Sequence, residues 1–161
     1  MTTGTGCTAG AGTPANRVRE VMERVAAAAG VDASVEIREE ADGLYGEYVG
    51  DDLGLLIGHH GQTIDAIQHL AYRIAGRGED DRQSVVVDAA GYRERRALAL
   101  RATADQAAEA AINERRPVSL EAMSALERKV IHEYLKNRRD VETYSEGQEP
   151  SRRLVVAPLV D

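Results

Sequence analysis

A four-residue turn between two apolar helical stretches is the sequence feature that most constrains the fold. Gly58-His59-His60-Gly61 follows the apolar run 53–57 and directly precedes a segment with helical periodicity. Apolar residues recur at helical spacing in that segment: Ile64, Ile67, Leu70, Ala71 and Ile74. Glycine adopts backbone conformations that other residues avoid, so a short turn can join two helices. The pattern predicts two helical pieces that meet at a tight turn.

The residues on either side of this turn predict an α/β arrangement. A helix begins at Pro14, where proline is favoured, and ends at Gly30. Two alternating segments flank Asp42-Gly43 and predict a hairpin of two strands. A short buried strand follows at residues 83–88. The predicted order is helix, strand, strand, helix, Gly-x-x-Gly, helix, strand.

The second half of the chain predicts another small α/β unit, so the fold class is α+β. A long Ala-, Arg- and Glu-rich helix covers residues 92–113, and a short extended piece follows Pro117. A further helix has a predicted core side that carries Met123, Leu126, Val130 and Tyr134. Residues 141–144 and 154–156 predict two more strands, which completes a three-stranded sheet. We therefore expect a flexible tail at 1–14, a first domain at 15–91 and a second domain at 92–161, which includes the long helix.

Charge is distributed unevenly between the two halves. Residues 1–90 carry 7 basic and 15 acidic side chains, whereas residues 91–161 carry 13 and 12. A strong nucleic-acid binder usually has a basic surface, so the acidic first half argues against strong binding there. A weak or local nucleic-acid site remains compatible with this composition.

Several classes of protein are not expected from this sequence. No apolar run is long enough for a membrane span, no signal-peptide pattern opens the chain, and Cys7 is the single cysteine. The four histidines His59, His60, His69 and His132 lack metal-ligand spacing, and no phosphate loop or nucleophile motif is present. We expect a cytoplasmic protein without enzymatic activity, metal ion or cofactor.

Two motifs are candidate binding sites. Backbone N–H groups at a glycine turn before a helix can bind an anion, although a plain turn is the commoner reason for Gly-x-x-Gly. Arg128 and His132 are four residues apart and share one helix face, roughly opposite the predicted core side. An ordinary solvated face explains that spacing equally well. The residues alone leave both alternatives open at each motif.

The surroundings of the two motifs resemble a known family. The first half, with Gly58-His59-His60-Gly61, resembles a type II KH domain, whose loop clamps about four nucleotides. Arg128-x-x-x-His132, together with the segment 143–156, resembles the R-x-x-x-H domain, a small module that binds single-stranded nucleic acid. Their direct succession is similar to the Jag (SpoIIIJ-associated, KhpB-like) family of bacterial RNA-binding proteins.

The resemblance implies both a function and a set of contacts. It implies binding of single-stranded RNA, or single-stranded DNA, in post-transcriptional regulation or RNA chaperoning linked to cell shape, division or sporulation. It also implies pairing with a small single-KH protein. The implied contact residues are Gly58, His59, His60, Gly61, Arg128, His132 and Arg152.

The sequence also departs from the family pattern at three points. Lys or Arg usually stands between the loop glycines, where this chain has histidines, and Ala122 stands where a proline is usual. Only the short tail precedes residue 15, whereas family members commonly carry a further N-terminal domain. The neutral loop and the acidic first half keep an alternative open, a protein–protein adaptor with weak or no RNA binding.

Overall fold

The computed structural model describes residues 12–76 and 83–159, and the chain divides into two compact units, residues 1–90 and 91–161. Most of the predicted tail, including Cys7, lies outside the described residues. No helix within the described ranges is long and apolar enough to cross a membrane.

The first unit contains the predicted order of elements. Its elements are α1 (Pro14–Ala28), β1 (Ser34–Glu40), β2 (Gly43–Val49), α2 (Gly54–Ile57), a 3-10 turn (His59–Gly61), α3 (Gln62–Ala75) and β3 (Ser84–Ala89). Strand β2 is central, antiparallel to β1 and parallel to β3. Helices α1 and α3 pack against each other, and both pack on the sheet.

A mainly aliphatic core holds the helices of the first unit on its sheet. Val18 and Met22 of α1 and Ile64 of α3 are fully buried, and so is Tyr48 of β2. Each such side chain stabilises the fold by roughly 1.5–3 kcal/mol. The Tyr48 hydroxyl donates a hydrogen bond of 2.8 Å to the carbonyl of Met22, and burial raises the pKa of Tyr48. The buried hydroxyl of Tyr48 is therefore satisfied by the backbone of α1.

The second unit has the predicted helices and its three-stranded sheet. Its elements are α4 (Tyr92–Glu114), β4 (Val118–Ala122), α5 (Ala125–Leu135), β5 (Val141–Glu146) and β6 (Arg153–Pro158). Strand β6 is central and antiparallel to both β4 and β5. The small residues of α4 allow close packing: Ala104, Ala107, Ala108 and Ala111 are buried with Leu100.

The predicted core side of α5 is partly wrong. Leu126 is 54% exposed and Tyr134 is 41% exposed, whereas Arg128, Ile131 and Leu135 are buried. Periodicity assigns a helix face by the apolar character of single residues, but a guanidinium that reaches buried carbonyls can lie on the inner side. Arg128 therefore does not lie on a solvated face opposite the core.

Candidate nucleic-acid interface

The backbone of the Gly-x-x-Gly turn departs from ordinary helical geometry at three residues. Gly58 has φ +73°, His60 has φ +52° and Gly61 has φ +79°. The Gly58 N–H donates to the Gly54 carbonyl at 2.8 Å, and the Gly61 N–H donates to the Gly58 carbonyl at 3.3 Å. The turn is thus a hydrogen-bonded junction in which α2 ends and α3 begins.

Gly58 is required at its position for a second reason. A Cβ atom there would overlap the Thr63 side chain and would lie 2.9 Å from the Thr63 backbone nitrogen. Real Cβ atoms do not approach other atoms so closely. The absence of a side chain at Gly58 allows its backbone to lie against the first turn of α3.

The first turn of α3 has features of an anion site. Gly61 occupies the N-cap position, and no side chain caps the helix there. The first N–H groups of a helix have no partner within the helix, and the helix dipole adds partial positive charge at this end. The Gln62 N–H donates to the His59 carbonyl, so the 3-10 turn continues directly into the helix. A phosphate at this end would meet backbone donors rather than a capping side chain.

The two histidines lie between the glycines with their rings stacked. The ring centroids of His59 and His60 are 3.9 Å apart and the planes are inclined by 25°. His59 is exposed and His60 is half-buried. Imidazole rings can donate hydrogen bonds and can stack on bases, so the pair gives the turn a flat polar surface.

The charges near this turn are acidic. Between residues 51 and 65 the ionisable groups are Asp51, Asp52, Asp65 and the two histidines. Asp65 lies in the first turn of α3, where a carboxylate competes with a bound anion for the helix dipole. Neutral imidazoles leave an acidic setting, and protonated ones offset most of it.

The Arg128 side chain in the second unit is buried among three acceptors. Its Nη1 donates to the carbonyls of Met123 at 2.7 Å and of Arg152 at 3.3 Å. Its Nη2 donates to Glu149 Oε1 at 2.6 Å, and Arg128 is only 7% exposed. The guanidinium therefore joins the start of α5 to the loop between β5 and β6.

The His132 ring lies one turn further along α5 and is exposed. Its Nδ1 is 2.6 Å from Thr143 Oγ1 of β5, so the ring is held over the sheet edge. The carbonyl of Arg152 accepts hydrogen bonds from the Met123 N–H and from Arg128. The Arg152 residue itself is exposed. The structure thus brings Arg128 into contact with the Arg152 backbone and leaves the His132 ring and the Arg152 residue exposed.

Sequence reasoning did not single out Glu149 and Thr143, which are the side-chain partners of Arg128 and His132. Both residues lie within the segment 143–156 that carried the resemblance. No local spacing links a loop carboxylate to an arginine 21 positions earlier, because the chain folds back through a strand. Among the described residues, no group of three or more His, Cys, Asp or Glu side chains could hold a metal ion.

Comparison with known proteins matches two family models in succession. Residues 15–88 match the model described as KhpA/KhpB, KH domain, and residues 98–158 match the model of the R-x-x-x-H domain. The chain belongs to the KhpB (Jag) family. The KH match covers the Gly-x-x-Gly turn, and the second match covers Arg128, His132 and Arg152. The fold class expected from the sequence is therefore confirmed, with a KH domain followed by an R-x-x-x-H domain.

Curated relatives carry the same name. The RNA-binding protein KhpB of Clostridium symbiosum is 39% identical over 127 residues, which is 79% of this chain and 57% of that protein. RNA-binding protein KhpB of Lactiplantibacillus plantarum is 44% identical over 104 residues, 65% of this chain and 32% of the relative. That of Bacillus subtilis is 29% identical over 146 residues, 89% and 70% respectively. The chain thus spans little more than half of the first relative and a third of the second.

Proposed function

We propose that this chain binds single-stranded RNA, with the Gly-x-x-Gly turn of the KH domain as its principal contact. The observation that carries the proposal is the pair of positive-φ glycines that leave the start of α3 without a capping side chain. Gly58 and Gly61 admit the sugar-phosphate backbone, and His59 and His60 contact it from the side. The names of the relatives support this assignment, since each is called an RNA-binding protein.

The R-x-x-x-H domain supplies the second contact in this proposal. His132 and Arg152 are exposed there, and Arg128 belongs to the same site from the buried side. The same exposed groups could accept single-stranded DNA, since both nucleic acids offer phosphates and unpaired bases. The two modules correspond to residues 15–91 and 92–161, after a tail at 1–14.

The cellular role is also a proposal. We infer a cytoplasmic bacterial binding protein rather than an enzyme, acting as a post-transcriptional regulator or RNA chaperone linked to cell shape, division or sporulation. Its protein partner in this proposal is a small single-KH protein. Family membership supports these statements, whereas the chain covers only part of the length of the first relatives it matches.

Replacement of both loop histidines by Asp tests the RNA contact. In the full chain, His59→Asp/His60→Asp puts two carboxylates beside the bound phosphate, so we expect affinity for mixed-sequence single-stranded RNA to fall at least about tenfold, the effect of 1.4 kcal/mol. Surface changes of this kind usually alter the free energy of unfolding by about 0.5 kcal/mol or less, so the fold should persist. Nitrocellulose retention measures the affinity, and circular dichroism checks the fold.

The control for this experiment is His69→Asp. His69 is an exposed residue of α3 outside the turn, so the same exchange there should change affinity far less than His59→Asp alone. Equal losses from His59→Asp and His69→Asp would mean that only the overall charge matters. Unchanged affinity of the double variant would contradict the clamp.

A protein–protein adaptor is the second candidate function. The acidic surroundings of the turn, with Asp51, Asp52 and Asp65 and no Lys or Arg between residues 51 and 65, favour it. An adaptor with degenerate nucleic-acid surfaces would not retain RNA on nitrocellulose at any salt concentration. An RNA-binding protein would retain it at low salt and lose it as salt rises, because phosphate contacts release counterions.

A further inference from the structure

The contacts of Arg128 leave little of its guanidinium for a ligand. A buried charge is costly unless it is paired and hydrogen-bonded, and Arg128 has a carboxylate and two carbonyls as partners. Both acceptors of Nη1 are backbone carbonyls. With 7% of the residue exposed, a phosphate could reach Arg128 only by displacing Glu149.

The same contacts fix the loop between β5 and β6. Glu149 is 57% exposed at its side chain yet reaches inward to Arg128 Nη2. The loop also has Gly147 at φ +87° and a bond of 2.9 Å from the Ser151 N–H to the Gln148 carbonyl. The Arg152 carbonyl, at its end, accepts from both Arg128 and the Met123 N–H. Arg128 is therefore the side chain that ties this loop to the start of α5.

The group that this arrangement presents is Arg152. Its backbone is held by two hydrogen bonds, while the residue is exposed. Within the described part of the second unit, residues 91–159, no carboxylate forms an ion pair with Arg152. An unpaired guanidinium on a fixed backbone can make a bidentate contact with a phosphate at low entropic cost.

We propose that Arg128 is a positioning residue that holds the loop 147–152, and that Arg152 makes the phosphate contact of the R-x-x-x-H domain. This proposal rests on the RNA-binding function proposed above and assigns roles within it. It places the first residue of the R-x-x-x-H motif behind the binding surface rather than on it. A direct contact by Arg128, with Glu149 displaced, is the rival arrangement.

A double-mutant cycle in the full chain separates the two arrangements. The proteins are the native chain, Arg128→Ala, Arg152→Ala and the double variant, and the probe is a fluorescein-labelled single-stranded oligouridylate. If Arg128 acts through Arg152, each single change lowers affinity about tenfold, as expected for one charge-assisted hydrogen bond, and the double variant binds no more weakly than either. Multiplied losses in the double variant would show that Arg128 acts independently, and they overturn the proposal.

Two further measurements sharpen the cycle. Arg152→Ala should reduce the salt slope of log affinity by about one, because one phosphate contact is lost. Lys129→Ala is the matched control, since Lys129 is an exposed cation next to Arg128 and takes no part in the hydrogen bonds that Arg128 makes to the loop. Its loss should be about threefold at most, the effect of about 0.6 kcal/mol. An Arg152→Ala variant that binds as well as the native chain also overturns the proposal.

A spectroscopic test needs no variant of Arg128, which matters if its removal unfolds the domain. In the native chain labelled with 15N-arginine, the guanidinium N–H signals of Arg128 should stay unchanged when oligouridylate is added, and those of Arg152 should shift. Movement of the Arg128 signals would show that phosphate replaces Glu149, and it overturns the proposal. A native chain that fails to bind any oligouridylate contradicts the RNA-binding function itself, whereas multiplied losses in a chain that binds contradict only the positioning role.

Discussion

At the scale of a single residue, Gly58 shows how a backbone conformation creates a binding feature. Its φ of +73° and the proximity of Thr63 both exclude a Cβ atom. Gly58→Ala must therefore strain the turn or move the first turn of α3. Forcing an L-residue into this region costs about 1–2 kcal/mol, and the overlap adds to it. We expect the free energy of unfolding to fall by about 2–3 kcal/mol in urea titrations followed by circular dichroism.

Gly54 offers the matched control for that prediction. It begins α2 with ordinary geometry, and a Cβ there would meet nothing closer than Asp52 Oδ1 at 3.6 Å. Gly54→Ala should leave the free energy of unfolding within about 0.5 kcal/mol or raise it, because alanine restricts the unfolded chain. Equal losses from the two exchanges would mean that the strain at Gly58 is absent in solution.

At the scale of an element, α5 depends on polar contacts at its first turn. The Ser124 side chain accepts from the Glu127 N–H, and the Glu127 carboxylate accepts from the Ser124 N–H, both at 3.3 Å. Glu127 also accepts from Arg96 Nε of α4 at 2.7 Å and is nearly buried. The carboxylate therefore caps α5 and joins it to α4.

These contacts predict unequal losses at the two capping residues. Ser124→Ala should lower the free energy of unfolding by about 1 kcal/mol, the usual loss at an N-cap. Glu127→Ala should cost more, roughly 2–4 kcal/mol, because it also leaves the Arg96 charge unpaired. Urea denaturation measures both, with the exposed Ser151→Ala as control. A Glu127→Ala loss no larger than that of Ser124→Ala would show that the Arg96 pair contributes nothing.

The elements could be predicted from the sequence because their periods are strong, whereas the orientation of α5 could not. Proline and glycine marked the ends of α1 and the turn before α3, and a valine triplet marked β3. On α5 the buried face includes Arg128, whose burial depends on carbonyls of Met123 and Arg152 and on Glu149. Those partners come together only in the folded chain, so no local pattern could indicate them. The stacking of His59 on His60 likewise follows from the positive φ of His60.

At the scale of the whole molecule, a net charge of -7 opposes RNA binding unless local charge compensates. The KH turn carries histidines where a lysine or arginine would supply permanent charge. Histidine is the residue type whose charge changes between about pH 5 and 8, so the compensation here depends on pH. The acidic first half makes this dependence more important than it would be in a basic protein.

RNA affinity should therefore rise as pH falls. A phosphate beside His59 and His60 favours their protonated forms, so binding takes up protons, and affinity should increase roughly tenfold between about pH 8 and pH 6. It should level off once both rings are protonated in the free chain. The salt slope of log affinity should also steepen at low pH, because more phosphates are neutralised. Fluorescence anisotropy with a labelled single-stranded RNA across this range measures both quantities.

The four histidines of the chain allow the loop effect to be separated from a general loss of negative charge. His59→Asn/His60→Asn should remove most of the pH dependence, and His132→Asn should remove a smaller part through the R-x-x-x-H domain. His69→Asn changes the same titratable charge on the exposed part of α3 and should leave the dependence intact. If His69→Asn reduces the dependence as much as the loop variant, protonation acts through net charge alone. A native chain whose affinity is flat over this range has histidines that do not touch the phosphates, and its turn then holds RNA through backbone N–H groups or not at all.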